Sequence, residues 1–119
     1  MQEDYFNKQI ASTDNIGYNI VPRGYFTYRH MSNDTIFYFN INNLVDFGIV
    51  STLYPVFTTT DLLDSTFLKY YLNKSRQFKK YSLLQKQGGS RTYMYLNKLK
   101  NFRIELPELK EQQKISNFL

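Results

Sequence analysis

The sequence predicts an α+β domain: a twisted, mainly antiparallel β-sheet with a basic helix packed on it, ending in the start of a further helix. Three observations predict it. Residues 18–58 consist of short aromatic and β-branched runs broken at Pro, Gly and Asn, which is strand-and-turn chemistry. Near residue 61 the apolar period changes from two to about 3.6. Residues 65–104 then carry ten basic side chains and no Asp or Glu.

Taken in order, residues 18–21 (Tyr-Asn-Ile-Val) and 25–28 (Tyr-Phe-Thr-Tyr) flank Pro22-Arg23-Gly24, where Pro presets the first turn dihedral and Gly closes the turn. A hairpin is expected there. Ile36-Phe37-Tyr38-Phe39-Asn40-Ile41 reads as a short aromatic strand ended by Asn42-Asn43. The longest strand candidate covers residues 49–58, with Pro55 placing it at an edge or a bulge because proline donates nothing to a ladder.

A helix is predicted over residues 65–81, with Asp64 or Ser65 as its N-cap. Phe67, Leu68, Tyr71, Leu72, Ser75 and Phe78 fall on one side, and Lys69, Asn73, Arg76 and Lys80 on the other. Gly88-Gly89-Ser90-Arg91 reads as a loop. Tyr93 and Tyr95 alternate with Met94 as on a strand edge, both rings on one side, and serve either the core or base stacking. A short apolar strand is expected over 102–106, and a helix begins after Pro107. Leu109, Ile115, Phe118 and Leu119 then form an apolar stripe that predicts self-association.

At 119 residues the chain has room for one core. Its 11 Tyr and 10 Phe fit a folded domain with wet recognition surfaces rather than a disordered tail. The absence of cysteine excludes disulfides and thiolate metal sites. No apolar run approaches the ~18 residues of a membrane span, and residues 1–10 (MQEDYFNKQI) lack a signal-peptide core, so a cytoplasmic protein is expected.

The net charge of +5 conceals a strong asymmetry. Residues 1–64 hold three bases against seven acids, a balance of −4, and residues 65–119 hold twelve against three, +9. Such separation points to a polyanion, nucleic acid before membrane because the basic segment is not a plain amphipathic helix. A solvated surface stripe would need no such exclusion of acids.

Candidate contacts follow from side-chain chemistry. Lys69, Arg76 and Lys80 suit phosphates, as do Lys86 and Lys98. Gln85, Gln87, Ser90 and Arg91, on a glycine-hinged loop, suit base edges, and Tyr93 suits stacking. Arg29 and His30 are further base-reading candidates. Gly88-Gly89 lacks the following Gly-Lys-Ser/Thr of a nucleotide-cradling loop. A lone His30, scattered carboxylates and no Asn-Pro-Pro-Tyr-type motif argue against catalysis and against a metal or cofactor.

The stretch Ile104-Glu105-Leu106-Pro107-Glu108-Leu109-Lys110-Glu111-Gln112-Gln113-Lys114-Ile115 resembles the close of a target-recognition domain in the specificity subunit of type I restriction-modification systems: an apolar strand, Leu-Pro, then a Glu-Gln-Gln-Lys-Ile helix start. Tyr18-Asn19-Ile20-Val21 with Gly24 and Phe26, Gly48 to Tyr54 with Phe57, Phe67-Leu68 with Tyr70-Tyr71-Leu72, and Gly89 with Arg91 occur in the family's order. The resemblance implies a non-catalytic, cofactor-free DNA reader over residues 1–106, with 107–119 opening the spacer helix. It further implies that two such domains read the halves of a split double-stranded DNA target. The helices between them would space the halves and dock methylation subunits, which bind S-adenosylmethionine and methylate adenine, while a restriction subunit translocates and cuts.

Family domains carry more sequence before the Tyr18 region, and the chain stops where the spacer helix should lengthen. It therefore reads as a fragment or a truncated gene product. An interaction module docking on an acidic protein is the alternative from a different class, as is a truncated specificity fragment without function.

Overall fold

The computed structural model describes residues 17–86 and 88–119. Among them the chain is α+β with every strand pair antiparallel, as expected, but the β part is divided into three small sheets. β1 (Tyr18–Pro22) pairs with β5 (Phe47–Ser51). β2 (Phe26–Tyr28) lies between β4 (Phe39–Ile41) and β6 (Val56–Phe57). β3 (Met31–Ser32) pairs with β7 (Thr92–Tyr93).

The turn at Pro22 forms as expected, with the Tyr25 amide donating to the Pro22 carbonyl at 3.1 Å and Gly24 at φ +84°. The hairpin does not. Gly24 donates instead to Asn42 O at 2.7 Å and Arg23 to Asp46 O at 2.8 Å, so the turn sends β1 and β2 into different sheets. The strand expected over 49–58 is likewise broken: Tyr54 donates to Ser51 O at 3.0 Å, and a turn ending at Pro55 separates β5 from β6. Proline thus ends a ladder rather than sitting at a bulge in one. Of the run 36–41 only Phe39–Ile41 pairs; Asp34 accepts the Ile36 amide at 2.8 Å and holds the approach as a turn.

The single helix predicted over 65–81 is two helices. In α1 (Ser65–Lys74) the expected cap is present, with Asp64 Oδ2 accepting the Phe67 amide at 2.8 Å. Ser75 is extended (φ −74°, ψ 148°); its amide donates to Tyr71 O at 2.9 Å, and its Oγ accepts the Phe78 amide at 3.1 Å to start α2 (Arg76–Leu84). One serine closes the first helix and caps the second, because its hydroxyl competes well for orphan amides. The apolar phase survives the break: Phe67, Leu68, Leu72 and Phe78 are buried. The polar stripe does not survive it. Lys69 and Asn73 belong to α1 and Arg76 and Lys80 to α2, and Asn73 clamps β4, accepting from Phe39 N at 2.9 Å and donating to Phe39 O at 3.0 Å.

The core joining these layers is aromatic. Phe26 stacks on Phe57 at 4.7 Å, Tyr28 lies 4.7 Å from Phe39, and Phe78 meets Phe39 and Phe102 edge-on at 5.5 and 5.0 Å. Each such edge contact adds about 0.5–1.5 kcal/mol to area burial. After β7 the chain forms α3 (Leu96–Lys100), anchored by buried Leu99, which the sequence reading missed. Residues 102–106 are not a strand. Phe102, Ile104 and Leu106 do alternate onto the core, but no ladder among the described residues receives them.

α4 (Leu109–Ser116) packs against α1. Its apolar stripe is not the continuous one expected. Ile115 packs on the core beside fully buried Gln112, whereas Leu109, Phe118 and Leu119 stay exposed. Gln112 accepts the Asp64 amide at 2.7 Å and donates to Leu62 O and Pro107 O at 3.1 and 2.9 Å, and Ser116 Oγ donates to Asp64 Oδ2 at 2.5 Å. Among the described residues no helix is long and apolar enough to cross a membrane.

Candidate nucleic-acid interface

Strand alternation builds the site. In β7 and its continuation Thr92 and Met94 point inward and are buried, so Arg91, Tyr93 and Tyr95 point outward. The strand is short, yet it is fixed from three sides. It pairs with β3 in the register Met31 to Tyr93, the Met94 amide donates to His30 O at 2.7 Å, and the buried Tyr28 hydroxyl donates to Met94 O at 2.7 Å. Burial pushes the Tyr28 hydroxyl well above its usual pKa and keeps it a donor.

The outward rings form a ladder. Tyr93 and Tyr95 are parallel within 7° at 5.8 Å, and His30 lies 4.7 Å from Tyr95 and 6.3 Å from Tyr93. Around them opens a hollow of about 510 Å³, lined by Gln85 from the end of α2, Gly89, Ser90 and Arg91 from the loop, the two tyrosines, and Lys98 from α3. Among the described residues its lining holds two cations and no acid. Lys98 is brought there by two backbone devices: Tyr95 O accepts the Lys98 amide at 2.9 Å to open α3, and the Tyr81 hydroxyl of α2 donates to Lys98 O at 2.5 Å. Gln85 Nε2 donates to Tyr81 O at 3.1 Å, which fixes its carboxamide. Gly88 at φ +80° supplies the left-handed residue that the loop needs.

The structure therefore brings together Gln85, Ser90, Arg91, Tyr93 and Lys98, with His30 behind Tyr95. Lys69, Arg76 and Lys80 stand outside this hollow on α1 and α2, and exposed Lys86 follows α2 at its margin. Gln87 lies outside the described residues. Arg29 lines a second hollow of about 450 Å³ with Asn33, Asp34, Tyr38 and Asn40. Asp34 there accepts from the Ser32 hydroxyl at 2.6 Å and the Ile36 amide at 2.8 Å, which hold its carboxyl below the usual range. A fixed carboxylate makes that hollow the poorer place for phosphate. Gly89 lines the first hollow without having been singled out as a contact, and Tyr95, which the alternation with Tyr93 assigns to either core or stacking, stands on the open side.

A family model described as the type I restriction modification DNA specificity domain matches residues 4–119, nearly the whole chain. The chain belongs to that family. Its function class is accordingly DNA target recognition within a restriction-modification system, by a domain that is not itself catalytic. No curated protein matches the chain. Among the described residues no three His, Cys, Asp or Glu side chains gather as a metal site would require.

Proposed function

We propose that this specificity domain reads one half of a bipartite duplex target and directs methylation and restriction subunits to it. The observation that carries this reading is the hollow where Arg91, Ser90, Gln85 and Lys98 converge on two exposed tyrosines, with no acid among its described lining residues. Arg91 follows a hinge with Gly88 at φ +80°, so its planar fork has the freedom to enter a major groove and bond guanine O6 and N7. Lys69, Arg76 and Lys80 carry cations on long flexible stems and hold phosphates, setting register without reading sequence. Residues 107–119 open the spacer helix in this reading, and α4 ties that helix to the domain through Gln112. Exposed Leu109 and Phe118 are then the positions for contact with subunits or with a second copy.

Titration of Arg91→Ala and Lys80→Ala against a duplex selected from a random pool and a scrambled duplex, at fixed salt, tests the division of roles. Arg91→Ala should cost roughly 1–3 kcal/mol on the selected duplex and much less on the scrambled one. Lys80→Ala should weaken both equally. Equal losses on both duplexes for Arg91→Ala would make the loop one more phosphate contact.

A further inference from the structure

The hollow beside β7 offers something a paired duplex has no use for, which is aromatic face. Tyr93 and Tyr95 are 41% and 49% exposed, parallel within 7°, and buttressed by His30 at 4.7 Å. Inside a duplex both faces of every base are covered by its neighbours, and only edges reach the grooves. These rings line a concavity of about 510 Å³, a volume usual for small-ligand sites. The polar groups of the hollow complement a nucleotide: Lys98 supplies a cation for a phosphate, and Gln85, its Nε2 held by Tyr81 O, keeps Oε1 as an acceptor for a base amino group.

From this geometry we infer that the hollow receives one unpaired nucleotide, with its base stacked on the Tyr93–Tyr95 surface and its phosphate against Lys98. The inference rests on the DNA-reading role proposed above and adds a ligand state to it: an extrahelical base rather than a paired one. Arg91, at the rim, remains available to the adjoining duplex. Stacking on aromatic rings tolerates any base, so the slot contributes affinity for a distorted site more than sequence preference.

Two duplexes of the same sequence test it, one perfect and one with a single bulged 2-aminopurine, titrated with the full chain at fixed salt. The bulged duplex should bind about tenfold tighter, in the range that one stacked base contributes, with 2-aminopurine fluorescence quenched on binding. Tyr95→Ala and Tyr93→Ala should each reduce the preference for the bulged duplex towards unity. Tyr95→Phe should keep the preference, because the face and not the hydroxyl stacks. Equal binding of the two duplexes by the unaltered chain would overturn the slot and leave duplex reading intact. A Tyr95→Phe loss as large as that of Tyr95→Ala would overturn stacking in favour of a hydroxyl contact. Binding to neither duplex would overturn the DNA-reading role and the slot with it. Neither ring belongs to the buried core, so melting curves of the alanine variants should stay close to that of the parent chain.

Discussion

Gln112 is the side chain whose replacement most directly tests how the C-terminal helix is held. It is 1% exposed and makes three hydrogen bonds, from the Asp64 amide and to the Leu62 and Pro107 carbonyls. All three partners are backbone groups at the junction of α1 and α4. In Gln112→Leu the volume is nearly kept and the cavity effect is small, so the loss is one of hydrogen bonding. At about 1 kcal/mol for each bond the substitution should cost about 3 kcal/mol. For a domain of this size that corresponds to a fall in melting temperature on the order of 10 °C. Gln113, next in sequence and exposed, provides the control: Gln113→Leu should stay within about 0.5 kcal/mol. Gln112→Glu should be worse than leucine, since a carboxylate would face two carbonyl oxygens from which it can accept nothing. Thermal and urea unfolding followed by circular dichroism measure all three variants. A Gln112→Leu melting curve that overlays that of Gln113→Leu would refute the clamp.

Other outcomes follow from the same structure. If about six of the bases between Lys69 and Arg103 meet phosphates, duplex affinity should fall roughly 10³-fold between about 50 and 200 mM salt, and a flat response in a filter-binding titration would deny the basic segment its role. Asn73→Ala leaves the Phe39 amide and carbonyl without their partner and should cost about 2–3 kcal/mol in urea unfolding, against a fraction of that for exposed Lys74→Ala. Burial raises the Tyr28 hydroxyl, and also those of Tyr71 and Tyr81, above the ordinary value of 10.0. Because the folded pKa is the higher one, their contribution is fully present below pH ~10 and is lost as the pH rises beyond it. Melting temperature should therefore drop steeply in alkali, and Tyr28→Phe should lower the plateau while shallowing that drop.

What was legible in the sequence was what neighbouring residues decide. Asp64 caps α1 because the amide it satisfies lies three residues away, and the apolar phase of 67–78 survived a helix break because both helices face the same core. Pairing was not legible. Pro22-Arg23-Gly24 does make a turn, but its amides find Asn42 and Asp46, some twenty residues on, and nothing local distinguishes that from a hairpin. Ser75 satisfies a helical pattern as well as it satisfies two caps, and nothing local distinguishes the two. Gln112 stood in the motif that marks the family, yet a glutamine is ordinarily expected at the surface, and its burial depends on carbonyls brought from Leu62 and Pro107.

The candidate site divides along the same line, and the division bears on how such a domain changes its target. Alternation put Tyr93 and Tyr95 on one side of the chain without deciding between core and surface, and His30 and Lys98 reach them only through β3–β7 pairing and the Tyr81 bond to α3. Those tertiary ties all end on backbone atoms, His30 O, Met94 O and Lys98 O, so they hold the platform in place whatever outward side chains it carries. The loop 88–91 is exposed throughout and bounded by that platform. Under the proposed reading, substitution at Ser90 or Arg91 would therefore alter which base edges are met without disturbing Met94, Leu99 or the aromatic core beneath, a separation of reading from folding that suits a specificity domain.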